Sequence, residues 1–155
     1  MTLVGWSEGS QALLVAGAAL VATLVTMAIR TLRVPLNAPD RLVAELRLAQ
    51  VASLVLAFVA AVWLGVAAVH EHKLGTTLDV MIALLFFAVA ATAYLREPRE
   101  ALTLLSIAFA SHAVIDVLHR PGWLPPDIAP RWFVVGCAVV DAIAAGLCYL
   151  PMVRR

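Results

Sequence analysis

Leu48-Ala-Gln-Val-Ala-Ser-Leu-Val-Leu-Ala-Phe-Val-Ala-Ala-Val-Trp-Leu-Gly-Val-Ala-Ala-Val69 runs without a single Asp, Glu, Lys or Arg. A hydrocarbon core of ~30 Å is crossed by about 20 helical residues at ~1.5 Å each, so this stretch is long enough to span a bilayer. Four more apolar stretches of similar or slightly shorter length stand around it, at Gln11–Ile29, Leu78–Leu95, Ala101–Leu118 and Trp132–Met152. Together they predict an all-α integral membrane protein, a five-helix transmembrane bundle forming one polytopic domain over 1–155.

Composition agrees with that reading. Of 155 residues, 63% are hydrophobic and 14% charged, with a mean hydropathy of +0.97, against roughly 45–50% apolar usage in soluble domains. The net charge of +1 comes without a basic run, which excludes the clustered Lys and Arg footprint of a nucleic-acid partner. The lipid bilayer is the expected partner, together with a homo-oligomer or a larger membrane complex. Cys137 and Cys148 lie eleven residues apart on one helix, ~16 Å at that rise, so they do not pair within a chain. They read as small packing residues, and the absence of a CxxC speaks against thiol redox or zinc-thiolate chemistry.

Charge placement gives an orientation. Arg30, Arg33, Arg41, Arg47, Arg96, Arg99, Arg154 and Arg155 fall on one side of the five spans, and Lys73, Arg120 and Arg131 on the other. Eight against three follows the positive-inside rule with the N-terminus outside and the C-terminus in the cytoplasm of a cell-membrane protein. The first span has Glu8 ahead of it and Arg30 and Arg33 behind it, the charge order of an uncleaved span rather than a secretory signal. Trp6, Trp63, Trp123 and Trp132 map to the outer interface and Tyr94 and Tyr149 to the inner one, where rings with one wet edge settle.

The connections carry helix punctuation. Asn37-Ala-Pro-Asp40 predicts that the second helix starts in the cytoplasm and continues as one long rod. Thr76 with Asp79 reads as a capping-box-like start of the third, and Pro98 in Arg96-Glu-Pro-Arg-Glu100 opens the fourth. The outer loop from Arg120 to Arg131 holds four prolines, at 121, 125, 126 and 130, too stiff for a random linker. Small residues every four positions, Ala57, Ala61 and Gly65 in the second span and Ala138, Ala142 and Gly146 in the last, predict close helix packing.

Polar groups mark where chemistry could sit. All four histidines, His70, His72, His112 and His119, belong to the outer half, with Glu71, Asp116 and Asp127. In Ser111-His112-Ala-Val-Ile-Asp116-Val-Leu-His119, positions i, i+4 and i+7 share an arc of about 60° on one helical face. His112 lies ~10 Å below the outer boundary and Asp141 ~15 Å below it, near the midplane. An ionisable group at that depth costs at least ~2.5–3.5 kcal/mol unless paired, protonated or facing water, so Asp116 and Asp141 are expected to point into the bundle with His112 as their partner. His112, Asp116, His119 and Asp141 are the candidates for a metal or proton-relay site, with His70, Glu71, His72 and Ser111 as secondary candidates. Imidazole and carboxylate suit Zn, Mn or Fe as a divalent cofactor and equally suit proton transfer. The plain alternative for each is structural: an interfacial cation at His119, a solvated loop at His70–Lys73, a satisfied hydrogen bond between His112 and an aspartate, a helix cap at Asp79 and a turn at Asp127. Thr23, Thr26, Ser53, Thr92, Thr103 and Ser106 need only bond their own helix carbonyls, and Glu45 can pair with Arg41 at i,i+4.

In its five spans and in Trp123-Leu-Pro-Pro the chain is similar to the TspO translocator group, but that stretch precedes the last span here rather than standing early in the chain, so no function is carried over. Ser111, Asp116 and the histidines resemble the ingredients of the seven-span ceramidase and progestin-receptor hydrolases, again without their motif order. Desaturase histidine boxes are absent. Three classes of function stay open: a metal- or proton-handling site, extending to a metal-dependent enzyme on lipid-borne substrates; a non-catalytic membrane subunit or small-ligand-binding bundle; and a small transporter or channel. The last lacks the paired Gly/Pro-broken spans of a transport path.

Overall fold

A computed structural model describes residues 7–69, 76–118 and 129–153. They form five α-helices, α1 (Glu8–Arg33), α2 (Asp40–Val69), α3 (Thr76–Tyr94), α4 (Pro98–Leu118) and α5 (Arg131–Val153), each long and apolar enough to cross a membrane. The build is that of a multi-pass membrane protein. Ser7 caps α1 by accepting from the Ser10 amide at 3.2 Å, Pro98 opens α4 as expected, and Pro130 stands immediately before α5. At 30 residues, α2 is about 45 Å long, the single rod expected from the helix start at Asn37-Ala-Pro-Asp40.

This rod is the axis of the bundle. It touches all four other helices, while α1 rests on α2 and α5, α3 on α2 and α4, and α4 and α5 pack on each other over most of their length. The core runs through Leu24 of α1, Leu48 and Leu56 of α2, Phe86 of α3, Leu102, Leu105 and Phe109 of α4 and Ala144 and Cys148 of α5. Because lipid is as apolar as these side chains, the gain on association comes from close van der Waals approach, and many contacts are therefore made by alanines. Thr23, Thr26, Ser53, Thr92 and Thr103 bond the carbonyls four residues back. Ser106 departs from this pattern and donates across to the Ala145 carbonyl at 3.1 Å, tying α4 to α5.

The packing faces differ from those that the small-residue spacing suggests. Ala142 and Gly146 of α5 and Ala61 and Gly65 of α2 are exposed on the outside of the bundle. The buried face of α5 is instead Val134, Asp141, Ala144, Ala145, Cys148 and Pro151, and α2 buries Ala49, Ala52, Ser53, Ala60 and Ala67. Spacing of small residues marks a surface fit for close approach but does not say which of several such faces meets a neighbour. Ala144→Leu is therefore expected to cost ~1–3 kcal/mol by overpacking and Ala142→Leu no more than ~0.5 kcal/mol, read from thermal unfolding in detergent. Equal costs would return the contact to the Ala142 face.

At one end of the bundle a buried ion pair joins four helices. Arg41 is 4% exposed and Glu45 2%, and they pair as their i,i+4 spacing suggests. Arg41 Nε donates to Glu45 Oε1 at 2.7 Å, Nη1 donates to the carbonyls of Thr31 and Val34 and Nη2 to that of Pro151 at 3.3 Å. Arg99 of α4 lies 3.5 Å from Glu45 Oε2. The guanidinium thus sits at the C-terminal ends of α1 and α5, where carbonyls lack helical partners and the helix dipole is negative.

Candidate functional site

The opposite half of the bundle holds the second buried polar group. His112 and Asp116 come from successive turns of α4 and Asp141 from the facing turn of α5, and they are 3%, 2% and 0% exposed. Their close approach follows from the tight α4–α5 packing, in which α5 turns its small residues Ala144 and Ala145 inward. His112 Nδ1 is 2.6 Å from Asp141 Oδ2 and 3.7 Å from Asp116 Oδ2. One ligand atom from each of the three residues lies within 4.8 Å of the others. With the carboxylate accepting, Nδ1 carries the proton and Nε2 is left as the acceptor on the other edge of the ring.

Aromatic rings hold the imidazole from two sides. Phe86 of α3 meets it edge-on with centroids 4.8 Å apart, and Trp63 of α2 does so at 6.4 Å. Trp63 is itself braced by Phe133 at 5.7 Å. Trp63 is buried, not an interfacial belt residue as its place near the end of the span suggests, and its indole nitrogen has no hydrogen-bond partner in the protein. Asp79 stands in the first turn of α3 as expected. Its side chain is buried, and with Trp63, Ile82, His112 and Asp116 it lines a small cavity of about 10 Å³, about one water-sized sphere.

The sequence candidates therefore divide. His112, Asp116 and Asp141 are brought together, and Ser111 is exposed on the outer surface of α4, away from them. His70, Glu71, His72, His119 and Asp127 lie outside the described residues. Asp79, Trp63 and Phe86 are the neighbours that sequence reasoning passed over. For Asp79 the available signal is its carboxylate at the same end of the bundle as His112, which a capping reading absorbs. Cys137 and Cys148 are unpaired thiols, and Cys137 stands one turn before Asp141 on α5.

Two carboxylates and one imidazole, all buried, form a set that needs positive charge. A divalent ion supplies it, as do protons. For a tetrahedral ion with bonds of ~2.0–2.2 Å, ligand atoms stand about 3.4 Å apart. The 3.7 Å separation of Asp116 from His112 already matches that spacing, and the 2.6 Å separation of Asp141 is a hydrogen bond that opens by under ~1 Å to take an ion in place of the proton. Asp141 Oδ1, buried and without a hydrogen-bond partner in the protein, is a further oxygen available at the same place. The donor set fits a first-row divalent ion. The fold and this cluster define a five-helix membrane protein with a buried His–Asp–Asp centre. No protein-family model, no curated protein and no solved structure matches the chain.

Proposed function

We propose that the chain is a multi-pass protein of the cell membrane in which His112, Asp116 and Asp141 hold a divalent metal ion, Zn, Mn or Fe, on the extracytoplasmic side, and that the centre acts on a lipid-borne substrate. The observation that carries this is the convergence of one imidazole and two carboxylates from two helices within 4.8 Å, buried among apolar residues. Isolated charges are too costly in hydrocarbon to stand unneutralised, and one dication balances two carboxylates. Three protein ligands leave a coordination position open, the pattern of catalytic rather than structural sites. Oxygen-rich sets with a single imidazole suit Mn and Fe as well as Zn.

Elemental analysis of protein purified without chelators tests the reading. About one metal ion per chain is expected, and His112→Ala, Asp116→Ala or Asp141→Ala should each bring it below a tenth of that. The three losses should not add, because removing one ligand already opens the site. Since the ion displaces the Nδ1 proton, its affinity should rise with pH as ligands deprotonate. Metal-free wild-type protein that keeps full function after chelation ends the metal reading. The 2.6 Å His112–Asp141 bond specifically favours one second reading, in which the same three groups pass protons.

Orientation is part of the proposal. Arg30, Arg33, Arg47, Arg96 and Arg99 gather with the Arg41 clamp at one end of the bundle and Arg131 stands at the other, which supports placing the clamp end in the cytoplasm. In a background lacking Cys137 and Cys148, single cysteines at positions 73 and 127 should react with an impermeant maleimide in intact cells, and those at positions 37 and 97 only after permeabilisation. Reaction at position 97 in intact cells reverses the assignment.

A further inference from the structure

Beside the His–Asp–Asp centre, Trp63 of α2, Asp79 of α3 and His112 and Asp116 of α4 are the polar lining of the cavity of about 10 Å³. One water molecule needs ~10–15 Å³ on the same measure. The lining is of two chemical kinds. Asp79 and Asp116 are buried carboxylates, and His112, whose Nδ1 is turned to Asp141, keeps Nε2 as an acceptor. Trp63, 5% exposed, brings an indole N–H, a donor only, and nothing among the described residues accepts from it. A buried N–H without an acceptor is rare in folded proteins and calls for an explanation at this position.

We propose that this cavity binds one water molecule, which accepts from Trp63 Nε1 and donates to Asp79 and Asp116, and that Asp79 is thereby a positioning residue of the centre. The lining selects the occupant. A cation there would face the indole N–H, which offers it no lone pair, and an anion would face two buried carboxylates. The occupant has to accept and donate at once, and in so small a space water is the molecule that does both. Three hydrogen bonds are also the usual complement of a buried water. As a water site this stands on the cavity alone; its part at a metal ion rests on the function proposed above. His112 and Asp116 line the cavity and Asp141 does not, so the water lies on the α3 side of the centre. Three protein ligands leave a coordination position for water, and on that side Asp79 is the carboxylate that orients it.

Nuclear magnetic resonance of the full-length, ¹⁵N-labelled protein in detergent micelles tests the proposal, with Zn, which is diamagnetic, as the divalent metal supplied. The Trp63 indole N–H signal is identified by its loss in Trp63→Phe or, by elimination, from the Phe variants of Trp6, Trp123 and Trp132. In the wild type it should show a cross-relaxation peak to water, with nuclear and rotating-frame Overhauser effects of opposite sign, the mark of contact rather than proton exchange. Asp79→Leu should weaken this peak at least fivefold, and Asp79→Asn, which keeps an acceptor oxygen, should retain it. Ala83 lines the same cavity, so Ala83→Val, which fills it with the carboxylates in place, should also weaken the peak at least fivefold. Metal content in Asp79→Asn should stay within twofold of wild type. No water peak at the wild-type Trp63 indole, or a peak undiminished in both Asp79→Leu and Ala83→Val, overturns the water site. A tenfold fall of metal content in Asp79→Asn overturns the positioning role by making Asp79 a ligand. The peak in a protein that takes up no Zn would uphold the water site while the metal reading fails; a loaded centre without the peak would do the reverse.

Discussion

Arg41→Met is expected to lower stability by ~3–5 kcal/mol, the cost of leaving one member of a buried ion pair without the other. The change leaves Glu45 with only the more distant Arg99 at 3.5 Å and removes the donor from the carbonyls of Thr31, Val34 and Pro151. Glu45→Leu made on top of it should recover part of the loss, since the buried carboxylate goes too, but not all of it, because three helix-end carbonyls remain without their donor. Arg41→Lys should fall between, as a single ammonium cannot reach the four acceptors that the planar guanidinium fork serves at once. Thermal unfolding in a mild detergent reads all three. An Arg41→Met protein as stable as wild type would mean that the clamp contributes nothing.

The fold was legible in the sequence where a single physical demand dominates. Length and the absence of charge define five spans, since unsatisfied backbone or unpaired charge in hydrocarbon is so costly that little else fits. Depth counting from His119 and Arg131 put His112 ~10 Å and Asp141 ~15 Å below the outer boundary, and charge cost turned Asp116 and Asp141 inward with His112 as their partner. What stayed hidden was lateral. In lipid both sides of a helix are apolar, so periodicity no longer marks the inner face, and Ala142 and Ala144 look alike in sequence although only the second is buried. For the same reason the i,i+4 spacing of Arg41 and Glu45 predicts their pairing but not its burial, and Trp63 reads as a belt residue and Asp79 as a cap. Each follows from which helix stands beside it, and in a bundle of five that is fixed by packing rather than by any local pattern.

At the centre itself, removing the base should hurt more than removing an acid. His112 is the one group among His112, Asp116 and Asp141 able to carry positive charge, so His112→Leu leaves two buried carboxylates facing each other and is expected to cost ~3–5 kcal/mol. Asp141→Leu leaves His112 with Asp116, 3.7 Å away, a pair still able to balance its charge, and is expected to cost ~1–3 kcal/mol. The double variant His112→Leu with Asp141→Leu removes a bonded pair together, so its cost should be smaller than the sum of the two by at least ~1 kcal/mol. Stability alone does not separate a packing role from a functional one, and metal content does. A centre built for an ion should lose it in both single variants and in the double, including where stability recovers, whereas a pair that only specifies packing should show no metal in any of the four proteins. Asp141→Asn sharpens the comparison: it keeps the shape and an acceptor for His112 Nδ1 and removes the charge. Its stability should stay within ~1 kcal/mol of wild type while its metal content falls at least tenfold. A metal content in Asp141→Asn equal to that of wild type would take Asp141 out of the coordination sphere and leave it as a positioning residue for His112.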